Sequence, residues 1–192
     1  MEKNDLTLAR RAVIIGGSAG SIDVLLKTLP LLKNNLSLPI IVILHRKSTP
    51  DSTLADLFSF RTKLKVREAE EKENIQTGTV YLAPSDYHLL IEKDFTFSLD
   101  YSEKINYCRP SIDVSFESAA EVFGNQLSGI LLSGANADGV EGLKAIKKKG
   151  GTTIAQKPET AEVPYMPQQA ITKAAIDHIF DPAEIAEFIN KL

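Results

Sequence analysis

Ser18 stands in Gly16-Gly17-Ser18-Ala19-Gly20, directly after the apolar run Ala12-Val13-Ile14-Ile15 and before a segment of helical periodicity. A Gly-x-Ser-x-Gly turn between a buried strand and a helix presents a serine hydroxyl on a tight bend, and the N–H groups of the helix start favour an oxyanion. The same turn also reads as a glycine-rich strand–helix connection in which Ser18 or Ser21 only caps the helix. His45 ends the apolar run Ile40–Leu44, where a general base would be placed, although a histidine satisfied by backbone groups fits a strand end equally well. Asp138 lies in Ser133-Gly134-Ala135-Asn136-Ala137-Asp138-Gly139, after the apolar run Leu127–Leu132. Its spacing to Glu141 is that of a capping box for the next helix, while the small residues around it would let a carboxylate reach a neighbouring imidazole. A serine nucleophile, a histidine base and an orienting aspartate together can carry acyl transfer.

Those three positions must be brought together by the elements that carry them. Short apolar runs ending in polar or glycine residues predict strands buried on both faces. Ile22, Leu25, Leu26, Leu29 and Leu32 predict a helix after Ser18, and residues 51–60 another that starts near Pro50 or Asp51. Between about 64 and 100 the period changes to short strands with turns at Pro84-Ser85-Asp86 and Lys93-Asp94, which predicts a small antiparallel β insertion at one edge of the main sheet. Helices are then expected over Ser111–Phe123 and Gly139–Lys149, a strand at Thr152–Ala155, and a C-terminal helix opened by the capping box Asp181-Pro182-Ala183-Glu184. The fold expected is α/β: a doubly wound, mostly parallel sheet with helices on both faces, preceded by a polar tail over residues 1–10 and forming a single domain over 11–192. In such a sheet catalytic groups collect beyond the carboxyl ends of the strands, and Ser18, His45 and Asp138 all fall there.

Composition narrows the function classes. The 192 residues are 43% hydrophobic and 24% charged, with 22 Lys+Arg against 25 Asp+Glu. That balance argues against disorder and against nucleic acid as a partner. The lone Cys108 cannot form an internal disulfide, and no Cys/His spacing suggests a metal site, so neither metal nor cofactor is expected. The charged start Met1-Glu2-Lys3-Asn4-Asp5 lacks the apolar region of a signal peptide, and no apolar run approaches the ~20 residues needed to span a bilayer. A cytoplasmic protein without membrane insertion is expected.

Other features read more simply. His88 and His178 are assigned to structure, Lys147-Lys148-Lys149 to a solvated helix end, and Ser111 to a helix cap. Arg109 is a candidate substrate contact. A nucleotide or phosphate site at Gly16-x-Ser18-x-x-Ser21 stays open, although serines replace two fingerprint glycines and the second strand ends in His45-Arg46 where a ribose-binding acid would stand.

Taken in order, these motifs resemble the catalytic domain of the CheB family of chemotaxis-receptor methylesterases. The resemblance runs from about Arg11 to Leu192. It rests on Ile14-Ile15-Gly16-Gly17-Ser18-Ala19-Gly20, Ile43-Leu44-His45, Tyr81-Leu82-Ala83-Pro84 and Tyr87-His88-Leu89-Leu90. Arg109-Pro110-Ser111-Ile112-Asp113, Leu132 to Gly139 and Met166-Pro167 with Ala170-Ile171 complete it. It implies a serine hydrolase that removes methyl esters from glutamate side chains of receptor signalling helices or another methyl-esterified protein, in some members with glutamine deamidation, through Ser18, His45 and Asp138. The Ala19 and Ala135 amides become candidate oxyanion donors, and Met166 joins Arg109 as a candidate substrate contact. Ala19, Ser21, Ala135 and Ala137 depart from the family's usual Ser-Thr-Gly-Gly and Thr-Gly-Met-Gly-Asn-Asp-Gly. The usual N-terminal receiver domain has no counterpart in this sequence, which implies no regulation, a regulator in trans, or use on something other than a chemoreceptor. The alternative to an active hydrolase is a weak or inactive scaffold that binds a signalling partner.

Overall fold

The computed structural model describes residues 10–46 and 53–192. Most of the polar tail and the Pro50/Asp51 start of the expected helix lie outside the described residues. Among the described residues nine strands form: β1 Ala12–Gly17, β2 Ile40–Leu44, β3 Lys65–Glu68, β4 Thr79–Leu82, β5 His88–Ile91, β6 Phe97–Asp100, β7 Leu127–Leu131, β8 Thr152–Gln156 and β9 His178–Phe180. The helices are α1 Ser21–Thr28, α2 Thr53–Ser59, α3 Ile112–Phe123, α4 Val140–Lys148, α5 Tyr165–Lys173 and α6 Pro182–Lys191. Seven strands make one sheet in the order β3-β4-β2-β1-β7-β8-β9 with every pairing parallel.

Strand alternation sorts the core into two layers. Val13 and Ile15 of β1, with Ile40, Val42 and Leu44 of β2, pack on the face that Val24 and Leu25 of α1, Phe58 of α2 and Ile185 and Ile189 of α6 cover. Ile14, Ile41 and Ile43 pack on the opposite face with Ile112 and Phe116 of α3, Leu143 and Ile146 of α4, and Met166 and Ala170 of α5. The doubly wound architecture expected from the sequence is therefore present.

Two details differ from expectation. The antiparallel insertion is confined to the β5–β6 pair, because β3 and β4 join the main sheet as parallel strands beside β2. Four-residue strands carry too short a pattern to distinguish these pairings. Helix α5 was not expected at all, since Pro164 and Pro167 punctuate it; both sit at its N-cap or first turn, where a missing N–H costs nothing.

The order of winding reverses at β1, the first strand, which has β2 on one side and β7 on the other. That switch point leaves a crevice beyond the carboxyl ends of the three strands. Ser18 follows β1, His45 follows β2, and the Ser133–Gly139 loop follows β7.

Candidate active site

Register places the nucleophile and base candidates side by side. Gly17 pairs with Leu44, and the His45 N–H donates to the Gly17 carbonyl at 3.1 Å, so Ser18 and His45 are the next residues on neighbouring strands. On the other flank the Ser18 N–H donates to the Ser133 carbonyl at 2.9 Å. Gly134 sits in close approach there: a Cβ on it would lie 2.5 Å from Met166 Cε and 3.0 Å from Ser18 Cβ, so a larger residue would have to displace the buried Met166 tip and press on the serine.

Asp138 is 3% exposed and accepts from four donors. His45 Nε2 lies 2.8 Å from its Oδ2, which also receives the Ile112 N–H at 2.7 Å. Its Oδ1 receives the Ser111 hydroxyl and the Asp113 N–H, both at 3.0 Å. The expected local capping box is therefore replaced by a distant one. Asp138 caps α3, whereas α4 starts from Gly139, a residue at φ 97° with no side chain to offer. Ser111 also caps α3 as expected, accepting from the Val114 N–H. His88 is buried and structural: its Nδ1 accepts from the Ser111 N–H at 3.1 Å, which steadies the same corner. His178 is exposed and stacked on Phe180.

Burial alone would raise the Asp138 carboxyl, but the bonds from His45 and the Ile112 and Asp113 amides outweigh it and hold the group below the usual carboxylate range. For His45, burial pulls the imidazole down, yet hydrogen bonds to Asp138 and Cys108 and their charges raise it from 6.5 to about 9. With Nε2–H given to Asp138, Nδ1 is the nitrogen left to accept a proton. It faces Cys108 Sγ at 3.7 Å and Asn136 Nδ2 at 3.5 Å, and that amide also reaches Sγ at 3.4 Å. Asn136 Oδ1 in turn receives the Asp138 N–H. Neither Cys108 nor Asn136 could be singled out from sequence spacing, since both reach His45 only through the tertiary fold.

Ser18 is half-buried and, among the described residues, its hydroxyl makes no hydrogen bond; its carbonyl accepts from the Ser21 N–H and hydroxyl, which closes the turn. The Ala19 and Ala135 amides donate to no other group among the described residues. Arg109 lines a cavity of about 400 Å³ with His45, Arg46, Asp86, Lys104, Tyr107 and Cys108. Its guanidinium lies over the Tyr101 ring, 3.9 Å from the centroid, and donates to the Tyr101 and Ser102 carbonyls. Met166 differs from its expected role: it is fully buried beneath Gly134, where it supports the loop and cannot meet a substrate.

Nitrogen, sulfur and oxygen donors of His45, Cys108 and Asp138 come within 4.8 Å of one another. Because the Asp138 oxygens are already occupied by four donors, the cluster is built as a hydrogen-bonded unit. A phosphate at the α1 start is also poorly served, since the Glu162 carboxylate lies against Gly20, its Oε2 3.1 Å from where a Cβ would be. Among the described residues no helix is long and apolar enough to cross a membrane.

Comparison with known proteins gives a consistent result. The CheB methylesterase family matches the chain over residues 13–189. A Leptospira interrogans relative is 44% identical over 181 residues, covering 94% of each chain. A Carboxydothermus hydrogenoformans protein named protein-glutamate methylesterase/protein-glutamine glutaminase 1 is 38% identical over 185 residues; these cover 94% of this chain but 54% of that longer protein. The crystal structure of the Thermotoga maritima CheB methylesterase catalytic domain superposes with a TM-score of 0.91 at 34% identity, covering 94% and 97% of the two chains.

Proposed function

The chain belongs to the CheB methylesterase family, and from that premise we propose that it is a serine hydrolase of protein glutamyl methyl esters, with Ser18 as nucleophile, His45 as base and Asp138 as the orienting acid. The observation that carries the assignment is the 2.8 Å contact between His45 Nε2 and the buried Asp138, one strand away from Ser18.

In the proposed reaction His45 Nδ1 takes the Ser18 proton as Oγ attacks the ester carbonyl, and Asp138 stabilises the imidazolium through Nε2–H. The Ala19 and Ala135 amides receive the oxyanion, each worth ~10²–10³ in rate. Breaking the C–O bond releases methanol, its proton supplied by His45. Water then attacks the acyl-enzyme with His45 again as base, freeing the glutamate carboxyl and restoring Ser18. The proposal extends to glutamine side chains, with ammonia as the leaving group, since curated relatives are named for both activities. Arg109, at the rim of the His45 cavity, is the substrate contact retained, and the unit that works is the single domain over 11–192. The substrates proposed are methylated receptor helices or other methyl-esterified proteins, in the cytoplasm.

The test is methanol release from a methyl-esterified receptor fragment, together with labelling by a fluorophosphonate. Wild-type protein is expected to release methanol and to be labelled at Ser18. A chain that binds the fragment but neither reacts with the probe nor releases methanol is the scaffold alternative.

A further inference from the structure

Helix α3 places Asp113 in its first turn, where an acidic side chain ordinarily serves its own helix's free N–H groups. Here the carboxylate turns away to a neighbouring helix. Oδ1 accepts from the Gly139 N–H at 2.8 Å and from the Gly142 N–H at 2.7 Å, both at the start of α4. Those amides need an external acceptor because Gly139 provides no capping side chain. In exchange, Asp138 accepts from the Ile112 and Asp113 N–H groups at the start of α3. Each carboxylate thus caps the helix that the other one precedes or begins.

The exchange has a catalytic side. The N–H that Asp113 grips at Gly139 belongs to the peptide bond joining Asp138 to Gly139, so the grip acts one bond away from the residue that holds His45. We propose that Asp113 is a positioning residue for the hydrolytic site: by fixing the Gly139 and Gly142 amides it sets the Asp138 carboxylate against His45 Nε2. The assignment rests on the reading of Ser18, His45 and Asp138 given above. The surroundings of Asp113 agree with a carboxyl held in place between the two helix starts. Burial raises its carboxyl, the two amides pull it back, and the facing Asp138 charge raises it again, to about 7. An oxygen acceptor in the right place, with or without charge, is therefore what α4 needs.

The full chain is compared as wild type, Asp113→Asn and Asp113→Ala, by three measurements: thermal unfolding, the rate of fluorophosphonate labelling at Ser18, and the imidazole titration of His45 by NMR. Asp113→Ala is expected to label at least ~10-fold more slowly and to titrate His45 at lower pH, because a displaced Asp138 no longer favours the imidazolium. Asp113→Asn keeps an oxygen for both amides and is expected to restore labelling to within about threefold of wild type, well inside the tenfold loss that a misplaced group costs. An Asp113→Ala protein that melts earlier but labels and titrates like wild type overturns the proposal, leaving a cap and nothing more. If Asp113→Ala does not fold, Asp113→Ser keeps a polar group in the first turn of α3 while being too short to grip both amides, and the same expectations apply to it. Wild-type protein that resists labelling counts against the hydrolase reading, whereas the His45 titration still decides the role of Asp113.

Discussion

The turn after β1 and the loop after β7 lie side by side, yet they are built to opposite specifications. The β7 loop is over-determined: Asp138 is buried, takes four hydrogen bonds and caps a helix as well as holding the base. The β1 turn leaves Ser18 half-buried with its hydroxyl uncommitted among the described residues. Hydrogen bonding is thus concentrated on the His45–Asp138 flank, and Ser18, the nucleophile of the proposed mechanism, is left free to meet both substrate and imidazole. His45 Nδ1 faces Cys108 and Asn136, so the proposed mechanism requires the Ser18 hydroxyl to take that position as substrate binds.

This contrast predicts that activity and stability separate on one flank and move together on the other. Ser18→Ala should lower turnover by about 10⁶ while changing unfolding free energy by less than about 0.5 kcal/mol, as checked by methanol release and denaturant titration. Loss of stability on that substitution would mean that the hydroxyl has a structural bond. Asp138→Ala should cost roughly 10⁴ in turnover and also about 2–4 kcal/mol, because the Ile112 and Asp113 N–H groups lose their acceptor. A protein of wild-type stability would break the comparison.

Weaker effects follow from titration. His45 must be neutral to act as base, so kcat/KM should rise with pH, close to tenfold per unit, and level off above about 9. The stability contribution of the pair has the opposite sign. Because the folded pKa is raised above 6.5 and Asp138 stays ionised, stabilisation is complete below about 6.5 and fades as pH climbs through about 9. Opposite slopes of activity and stability over that window are the check. Finally, Cys108→Ala removes one of the contacts that raise His45, so the rise in kcat/KM should move to lower pH and activity near neutrality should increase. An unchanged profile would show that Asp138 alone sets the base.

Much of the fold is legible in the sequence. Buried apolar runs ending in Ser18, His45 and the Asp138 loop are enough to place these three residues together, since a parallel sheet puts strand ends on one edge. Asp138 shows where local reading stops. Its spacing to Glu141 imitates a cap for α4, but the helix it caps begins at Ile112, and a partner so far along the chain leaves no periodic trace. Asp113, Cys108 and Asn136 were hidden for the same reason. Met166 carried a family motif but no indication that it faces inward. β3 and β4 were too short to reveal their parallel pairing, and the prolines of α5 disguised a helix start as a loop.

One contact far from the site has a practical meaning. Arg11 Nη1 donates to the Leu192 carbonyl at 2.5 Å, at the amino-terminal edge of the sheet, with β1 running its six residues from there to Ser18. At ~3.3 Å per residue, the two ends of the fold meet about 20 Å from the nucleophile. A short linker joining 192 to 11 of this domain would therefore close residues 11–192 into a ring, and new ends opened in the β5–β6 turn would give a circular permutant whose strand-end crevice is untouched.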